Sequence, residues 1–459
     1  MTRTKRTLSW VGAGLGVVLT LAVALVRPDR ALQVGAGLTA HNLCAATFTS
    51  GLAPEETFAE LLKPMLQGFA PVVRYSVNRA DKSVTASAVG LVQARAVYTE
   101  GYGCRLIGDP RLASPAPVTP RLPLPADGFA PDMPVISSVP ALQAALDQTF
   151  AERPNSPAKR VKAVVVVKSD RVVAERYAPG FGVQTPLLSY SVAKSFTNAL
   201  LGVLVQKGKL AVSQPVQAKE WSGPSDPRSK LTLNDLLRMQ SGLDAKETNT
   251  GFDAASRMLY STDDMAAFAG GIELKRPPGT GYEYSSINTL LLDRVLGQTV
   301  GGGANGMRAF ADRELFTPAH MDGVVMEFDA AGTFSGSAHV YAPARAYARL
   351  GVLFLHEGMT AAGERLLPAD WVAYSRKATL GSDYAAGFWT NEGPTLHAAA
   401  RVTAGFPKDG YFASGFRGQR IYIVPSQNLV VARFGYSDGP TYGIEDDLAL
   451  IAAAIRAVP

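Results

Sequence analysis

The sequence predicts an α+β fold in which an antiparallel sheet is flanked by helices and a mainly helical lobe is inserted between its strands. Two observations indicate this fold: strand hairpins occur both early and late in the chain from residue 135 onward, and helical patterns separate them. A small N-terminal unit and a membrane-spanning helix are expected before that part. Because the chain has 459 residues, more than one hydrophobic core usually holds, several folding units are expected.

The early hairpin is predicted from two β-branched runs, residues 162–168 and 171–177, which the turn Ser169-Asp170 joins. A helical pattern over residues 139–152 precedes the hairpin, and a second helix is expected soon after it.

The late hairpin joins strands at residues 419–424 and 429–434, and a final helix is predicted at about 445–458. We expect the two hairpins to combine into one antiparallel sheet, with the inserted helices as a second lobe. A cleft between two lobes is where ligand sites are expected. The inserted helical patterns lie at residues 231–240, 288–296 and 341–356.

The N-terminus predicts a membrane anchor. Arg3, Lys5 and Arg6 precede an uncharged apolar run from Leu8 to Val26, which is just long enough to span a bilayer at about 20 residues. The basic start favours an N-terminus inside and the rest of the chain exported. We therefore expect a protein of the bacterial inner membrane, with residues 31–459 facing the periplasm or the exterior. A cleaved signal peptide and a buried soluble helix are the alternatives.

Residues 31–112 are predicted to form a small exported unit, and residues 113–134 a Pro-rich linker. The unit carries a helical pattern at 55–66, which Pro64 interrupts, and a strand-like stretch at about 83–98.

Cys44 and Cys104 are the two cysteines of the chain, and in an exported protein they predict a disulfide. Two buried free thiols are the alternative.

Composition and charge exclude several classes of function. The net charge is +6, but Lys and Arg are scattered and no basic-aromatic stripe occurs, so nucleic-acid binding is not expected. The five histidines have no metal-ligand spacing. The sequence therefore predicts no metal and no cofactor.

Ser191 and Lys194 form a Ser-x-x-Lys motif at the start of an apolar, helix-like run. Residues three apart on a helix share a face, so the Lys194 amine can reach the Ser191 hydroxyl. The Ser191 N–H at a helix N-terminus is a candidate oxyanion donor. A second such motif, Ser156 to Lys159, lies in a charged stretch without a following helix and is interpreted as a solvated turn.

Two further motifs supply candidate groups for acyl transfer. Tyr284 and Ser286 form a Tyr-x-Ser set after a Pro-Gly turn. A tyrosine held near a lysine ammonium is expected to have a lowered pKa and to act as a base. The Gly-rich start of the late hairpin, residues 414–420, offers a second oxyanion donor, which we assign to the N–H of Gln419.

In this order the three motifs resemble those of the serine β-lactamase and penicillin-binding-protein superfamily, over about residues 135–459. The class C-like branch, with its esterases and 6-aminohexanoate-dimer hydrolases, is most similar. The resemblance implies a β-lactamase/transpeptidase-like fold, an acylated nucleophile at Ser191, its base partner at Lys194 and a proton relay at Tyr284. It also implies substrate contacts from Ser286.

Departures from the β-lactamase pattern predict the kind of substrate. The second motif ends in Ser286 instead of Asn, and the Lys-Thr-Gly place is taken by Phe416, Arg417 and Gly418. Arg417 is the candidate substitute for the missing lysine, and Gly418 a candidate substrate contact. These differences favour uncharged esters or small linear amides over β-lactams. Tyr384, Phe388 and Trp389 are candidates for an apolar acyl pocket, with Trp389 retained as a substrate-binding residue; core aromatics are the alternative.

The sequence thus favours an exported serine hydrolase that acts on a small ester or linear amide through an acyl-enzyme on Ser191. A D-Ala-D-Ala peptidase or β-lactamase is one alternative. A non-catalytic envelope binding module with the same fold is the other. The natural substrate, the oligomeric state and the role of residues 31–134 stay open.

Overall fold

The computed structural model describes residues 27–108, 117–118, 128–131, 133–223, 225–439 and 441–457. The predicted anchor at residues 8–26 and most of the predicted Pro-rich linker lie outside these residues. Across the described ranges, no helix is both long enough and apolar enough to cross a bilayer.

The N-terminal unit, residues 27–108, packs one long helix against a four-stranded antiparallel sheet. Pro64 does not end the predicted helix, because the helical backbone continues from residue 54 to 66 through a π-helical turn at Phe58–Leu62. The stretch predicted as strand at 83–98 is a hairpin of two strands. The elements are α1 (Pro28–Cys44), α2 (Pro54–Thr57), α3 (Lys63–Leu66), β1 (Val73–Asn78), β2 (Ser83–Ala88), β3 (Val92–Thr99) and β4 (Gly103–Leu106).

A disulfide ties the helix of this unit to its sheet. Cys44, the last residue of α1, is bonded to Cys104 in β4, with a Cα–Cα distance of 6.0 Å. Both residues are buried. The predicted disulfide is confirmed, and the alternative of two free thiols is wrong.

The second part of the chain has the strands β5 (Val161–Lys168), β6 (Arg171–Tyr177), β7 (Leu187–Leu188), β8 (Val325–Met326), β9 (Val340–Ala342), β10 (Trp389–Thr390), β11 (Tyr411–Gly415), β12 (Gln419–Val424) and β13 (Leu429–Gly435). A six-stranded antiparallel sheet in the order β10-β11-β12-β13-β5-β6 forms its centre. The predicted union of the early and late hairpins is confirmed, because β13 pairs with β5 and Ala432 lies opposite Val165. A smaller sheet has the order β7-β9-β8.

The unbroken valine run of β5 reflects burial on both faces of the sheet. Val165 and Val167 face the main core, whereas Val164 and Val166 face a second cluster that includes Leu142. Because successive side chains of a strand point to opposite faces, a centrally placed strand needs apolar residues at every position.

Helices cover both faces of the sheet and form the inserted lobe. The helix predicted at 231–240 is shorter than expected: Thr232 caps its start, and Met239 has a positive φ of 55°, outside the helical region. The helices are α4 (Pro140–Phe150), α5 (Ala193–Gln206), α6 (Leu233–Leu237), α7 (Ala254–Ser261), α8 (Met265–Gly270), α9 (Ser286–Val300), α10 (Gly303–Ala311), α11 (Ala344–Leu355), α12 (Trp371–Arg376), α13 (Leu396–Thr403) and α14 (Ile444–Ala457).

Candidate active site

Ser191 and Lys194 meet at the start of α5 as their spacing predicts. Ser191 lies in a 3₁₀ turn, Tyr190–Val192, that leads directly into the helix. Lys194 Nζ lies 3.0 Å from Ser191 Oγ. Tyr190 has a positive φ of 41°, a strained conformation for a non-glycine residue that is often found at functional sites. The Ser191 side chain stays partly exposed, whereas Lys194 is only 3% exposed.

Lys194 is held by two further oxygens. Its Nζ lies 3.0 Å from Ser286 Oγ and 2.9 Å from the carbonyl oxygen of Ser337. A neutral amine has two N–H groups and one lone pair. Because the Ser337 carbonyl can only accept and Ser286 Oγ can accept the second N–H, the lone pair is left for the Ser191 hydroxyl.

Burial lowers the pKa of Lys194 from its usual 10.5 to about 8. The carboxylates of Glu247 and Asp293 oppose this shift. Near neutral pH a useful fraction of this lysine is therefore the free amine, which is the form that can accept a proton from Ser191.

Tyr284 lies beside this pair, but the predicted lowering of its pKa is wrong. Burial raises the pKa of Tyr284 well above its usual value, while a hydrogen bond with Ser191 acts in the opposite direction. Lys194 Nζ lies over the Tyr284 ring, 5.1 Å from its centroid, so the cation faces the π surface. Tyr284 is therefore a neutral hydroxyl next to Ser191, suited to donating and relaying protons.

Glu247 is a site residue that the sequence motifs did not indicate. Its Oε2 accepts a hydrogen bond from the backbone N–H of Ser286 at 2.7 Å, at the start of α9. A carboxylate at a helix N-terminus is electrostatically favourable. Glu247 therefore fixes the segment that carries Ser286 and places a negative charge near Lys194. It comes from a loop whose course only the tertiary structure reveals.

The Gly-rich motif approaches the nucleophile at Gly415, the last residue of β11. A Cβ on Gly415 would lie 3.1 Å from Ser191 N and 2.5 Å from Ser189 O, so glycine allows this contact between backbones. Gln419 pairs with Gly415 across the hairpin. The side-chain amide of Gln419 is buried and donates to the carbonyl oxygens of Phe416 and Gly435. The oxyanion role of the Gln419 N–H stays a prediction.

Arg417 and Gly418 lie next to one another in this turn, but both are engaged by protein groups. Arg417 Nη1 lies 2.5 Å from Asp438 Oδ1, and its Nη2 donates to Tyr436 O at 2.8 Å. A substrate carboxylate would have to compete with Asp438 for this guanidinium. Gly418 has a φ of 89°, and a Cβ there would lie 2.3 Å from Arg433 Nη1.

The predicted aromatic residues take two different places. Trp389 stacks on Tyr284 with a centroid distance of 5.9 Å, and Tyr384 contacts Tyr284 edge to face at 5.3 Å. Phe388 is buried against Phe354, at a centroid distance of 4.6 Å. Tyr384 and Trp389 therefore orient Tyr284, and Phe388 is a core aromatic.

Three side chains with metal-ligating atoms, His41, Glu327 and His339, meet near Lys194, with those atoms within 4.8 Å of one another. His41 Nε2 lies 2.8 Å from Glu327 Oε2, and the backbone N–H of Cys104 donates to Glu327 Oε1 at 2.6 Å. These contacts dock α1 on the second part of the chain. The prediction of no metal relied on spacing along the sequence, which does not detect a cluster assembled from distant segments.

Ser191 and Ser286 open into a cavity of about 680 Å³. Glu247, Tyr260 and Phe416 also line it. This volume is that of a pocket for a small organic molecule. The site thus has an accessible hydroxyl at the edge of a pocket, with a buried amine of lowered pKa and a neutral tyrosine beside that hydroxyl, which is the equipment for acyl transfer.

Comparison with known proteins agrees with this geometry. The sequence model of the beta-lactamase family matches residues 146–455. The chain is 24% identical to the 6-aminohexanoate-dimer hydrolase of Paenarthrobacter ureafaciens over 326 residues, which are 64% of this chain and 79% of that protein. Residues 27–108 lie outside the range that the family model matches.

Solved structures share the fold at low sequence identity. A penicillin-binding protein homologue from Caulobacter crescentus matches with a TM-score of 0.54 and 18% identity, covering 71% of this chain and 99% of that one. A class C beta-lactamase from Rhodobacter sphaeroides matches with a TM-score of 0.50 and 16% identity, covering 69% of this chain and 98% of that one.

Proposed function

The chain belongs to the beta-lactamase family and is a serine hydrolase, and we propose that it cleaves a small ester or linear amide through an acyl-enzyme on Ser191. The observation that carries the proposal is the position of Lys194 Nζ, buried and 3.0 Å from both Ser191 Oγ and Ser286 Oγ. A non-catalytic binding module needs no such base beside a serine.

Acylation begins with proton transfer from Ser191 to the neutral amine of Lys194. The Ser191 oxygen attacks the substrate carbonyl carbon, and the Ser191 and Gln419 N–H groups hold the oxyanion that forms. Tyr284 then delivers its proton to the leaving alcohol or amine and recovers one from the Lys194 ammonium. The C–O or C–N bond breaks, and the acyl group stays on Ser191.

Deacylation uses the same groups in reverse. Lys194 is again a free amine after the first step and accepts a proton from an attacking water through Tyr284. The tetrahedral intermediate collapses, Ser191 regains its proton and the carboxylic acid leaves. Ser286 keeps Lys194 in place throughout, and Glu247 holds the backbone of Ser286.

Active-site labelling tests the proposal. A fluorophosphonate should add once to the protein, as seen by intact mass, and Ser191→Ala should abolish the adduct. Ser156→Ala is the matched control, because Ser156 and Lys159 form the same motif without a following helix. An adduct that survives in Ser191→Ala, or is lost in Ser156→Ala, would show that Ser191 is not the nucleophile.

Penicillin acylation separates this proposal from a β-lactamase or D-Ala-D-Ala peptidase. Esters and linear amides are favoured because the guanidinium of Arg417, which stands in the Lys-Thr-Gly place, is paired with Asp438. Rapid and stable formation of a penicilloyl adduct on Ser191 would move the assignment to the peptidase alternative.

We further propose that the protein is held in a bacterial inner membrane through residues 8–26, with the hydrolase in the periplasm or outside the cell. The buried disulfide supports an oxidising compartment. Membrane fractionation of the full chain against a form starting at residue 27 tests this: the full chain should sediment with membranes and the shorter form should not. Equal distribution of both forms would contradict the anchor.

A further inference from the structure

The cavity at Ser191 is built from two parts of the chain with different chemistry. The part of the chain from residue 135 onward, called the hydrolase domain below, supplies the end that holds Ser191, Ser286 and Glu247. The N-terminal unit supplies an apolar wall, from the first turns of α1 and from the helical segment around α3. The apolar residues of this wall include Leu32, Val34, Leu38, Met65, Leu66 and Phe69.

This wall is fixed on the hydrolase domain. Gly37 of α1 packs so closely on α7 that a Cβ there would lie 1.8 Å from Tyr260 O. His41 of α1 and Glu327 of the hydrolase domain are both buried, and His41 Nε2 lies 2.8 Å from Glu327 Oε2. Within the N-terminal unit, the disulfide ties the end of α1 to β4 and so keeps the helix on its sheet. The apolar wall is therefore a constant part of the pocket.

Each of the two parts also places an exposed phenylalanine on the cavity. Phe69 of the N-terminal unit is 46% exposed, and Phe252 of the hydrolase domain is 43% exposed, and both line the cavity. Large apolar side chains held at the rim of a pocket typically mark contact with an apolar ligand.

The cavity is lined by Ser191 but not by the proton relay. Tyr284, which is proposed to serve the leaving group, is not among the residues that line it, and neither are Tyr384 and Trp389. A chain that occupies the cavity therefore belongs to the acyl half of the substrate.

We propose that the N-terminal unit is the acyl-binding wall of this enzyme and selects esters or amides of medium-chain fatty acids. The inference rests on the proposed acyl-enzyme at Ser191 and names its acyl group. Each methylene that passes from water into such a wall should raise kcat/KM by about fourfold, the equivalent of about 0.8 kcal/mol. The increase should stop when the cavity is full.

The proposal is tested by measuring kcat/KM of the wild-type full chain for p-nitrophenyl esters from acetate to octanoate. We expect kcat/KM to rise steeply with acyl length. A profile that is flat or falls beyond acetate, in a protein whose Ser191 still labels with fluorophosphonate, would overturn the acyl wall and leave the hydrolase assignment standing. Loss of labelling itself would instead refute the hydrolase assignment.

Variants locate the effect on the wall. Leu32→Gln and Phe69→Gln should each lower the ratio of octanoate to acetate kcat/KM by about tenfold, because each places an amide beside the chain. Leu91→Gln is the matched control, since Leu91 is 84% exposed on the same unit and does not line the cavity. An equal drop in the control, or no drop in either wall variant while all three fold, would contradict the proposal.

Discussion

The free-amine role of Lys194 predicts a specific pH dependence of acylation. Burial brings the pKa of Lys194 from 10.5 to about 8. This difference is about 3 kcal/mol and leaves about 300 times more neutral amine near pH 7 than an unperturbed lysine would have. Because only the neutral amine accepts the Ser191 proton, kcat/KM should rise with pH and level off above about pH 8.

Replacing Glu247 tests whether this limb belongs to Lys194. The Glu247 carboxylate raises the pKa of Lys194, so Glu247→Gln should move the acid limb of the profile to lower pH. Asp244→Asn is the control: Asp244 lies in the same loop with a side chain that is 63% exposed, and it should leave the limb in place. The assay is kcat/KM for an uncharged ester from about pH 6 to pH 10, with the rate of fluorophosphonate labelling in parallel.

Two results would refute this reasoning. One is a profile without an acid limb in this range, which would mean that no group near pKa 8 must lose a proton. The other is a limb that Glu247→Gln moves to higher pH, since removal of a negative charge cannot raise the pKa of an ammonium by electrostatics.

Three further predictions follow from the same contacts. Tyr284→Phe should lower kcat about 10²- to 10⁴-fold with little change in unfolding temperature, because it removes the relay hydroxyl and keeps the ring on Trp389; a loss below about tenfold would contradict the relay. Reduction of the Cys44–Cys104 bond, with a sequence separation of 60, should lower the free energy of unfolding by about 4 kcal/mol; an unchanged urea midpoint would contradict this. Wild-type stability should gain up to about 3 kcal/mol relative to Lys194→Met between pH 8 and 10.5, because the folded chain releases this proton first; a constant difference in unfolding free energy would contradict the lowered pKa.

The sequence predicted the sheet and the contact between Ser191 and Lys194 because both depend on local patterns. The valine run at 162–168 and the late hairpin indicated strands, and their joining follows from the need of each hairpin to bury its faces. Ser191 and Lys194 are three residues apart on a helix start, so their contact is almost a property of the backbone.

The remaining features depend on packing between distant segments. The predicted direction of the Tyr284 pKa shift was wrong. The sequence indicated that Tyr284 lies near Lys194, but it did not indicate how deeply the Tyr284 hydroxyl is buried. Glu247 reaches Ser286 from a loop with no motif. The apolar wall from α1 and α3 depends on how the N-terminal unit docks, through contacts such as His41 with Glu327 that carry no sequence signal.

The most direct test of the central claim is to capture the acyl-enzyme from an ester substrate. Rapid acid quench of the wild type with p-nitrophenyl butyrate, followed by peptide mass analysis, should show a butyryl group on the peptide that contains Ser191, together with a burst of p-nitrophenol. Ser191→Ala should show neither the adduct nor the burst. A butyryl group on another residue, or turnover by Ser191→Ala at the wild-type rate, would contradict the account.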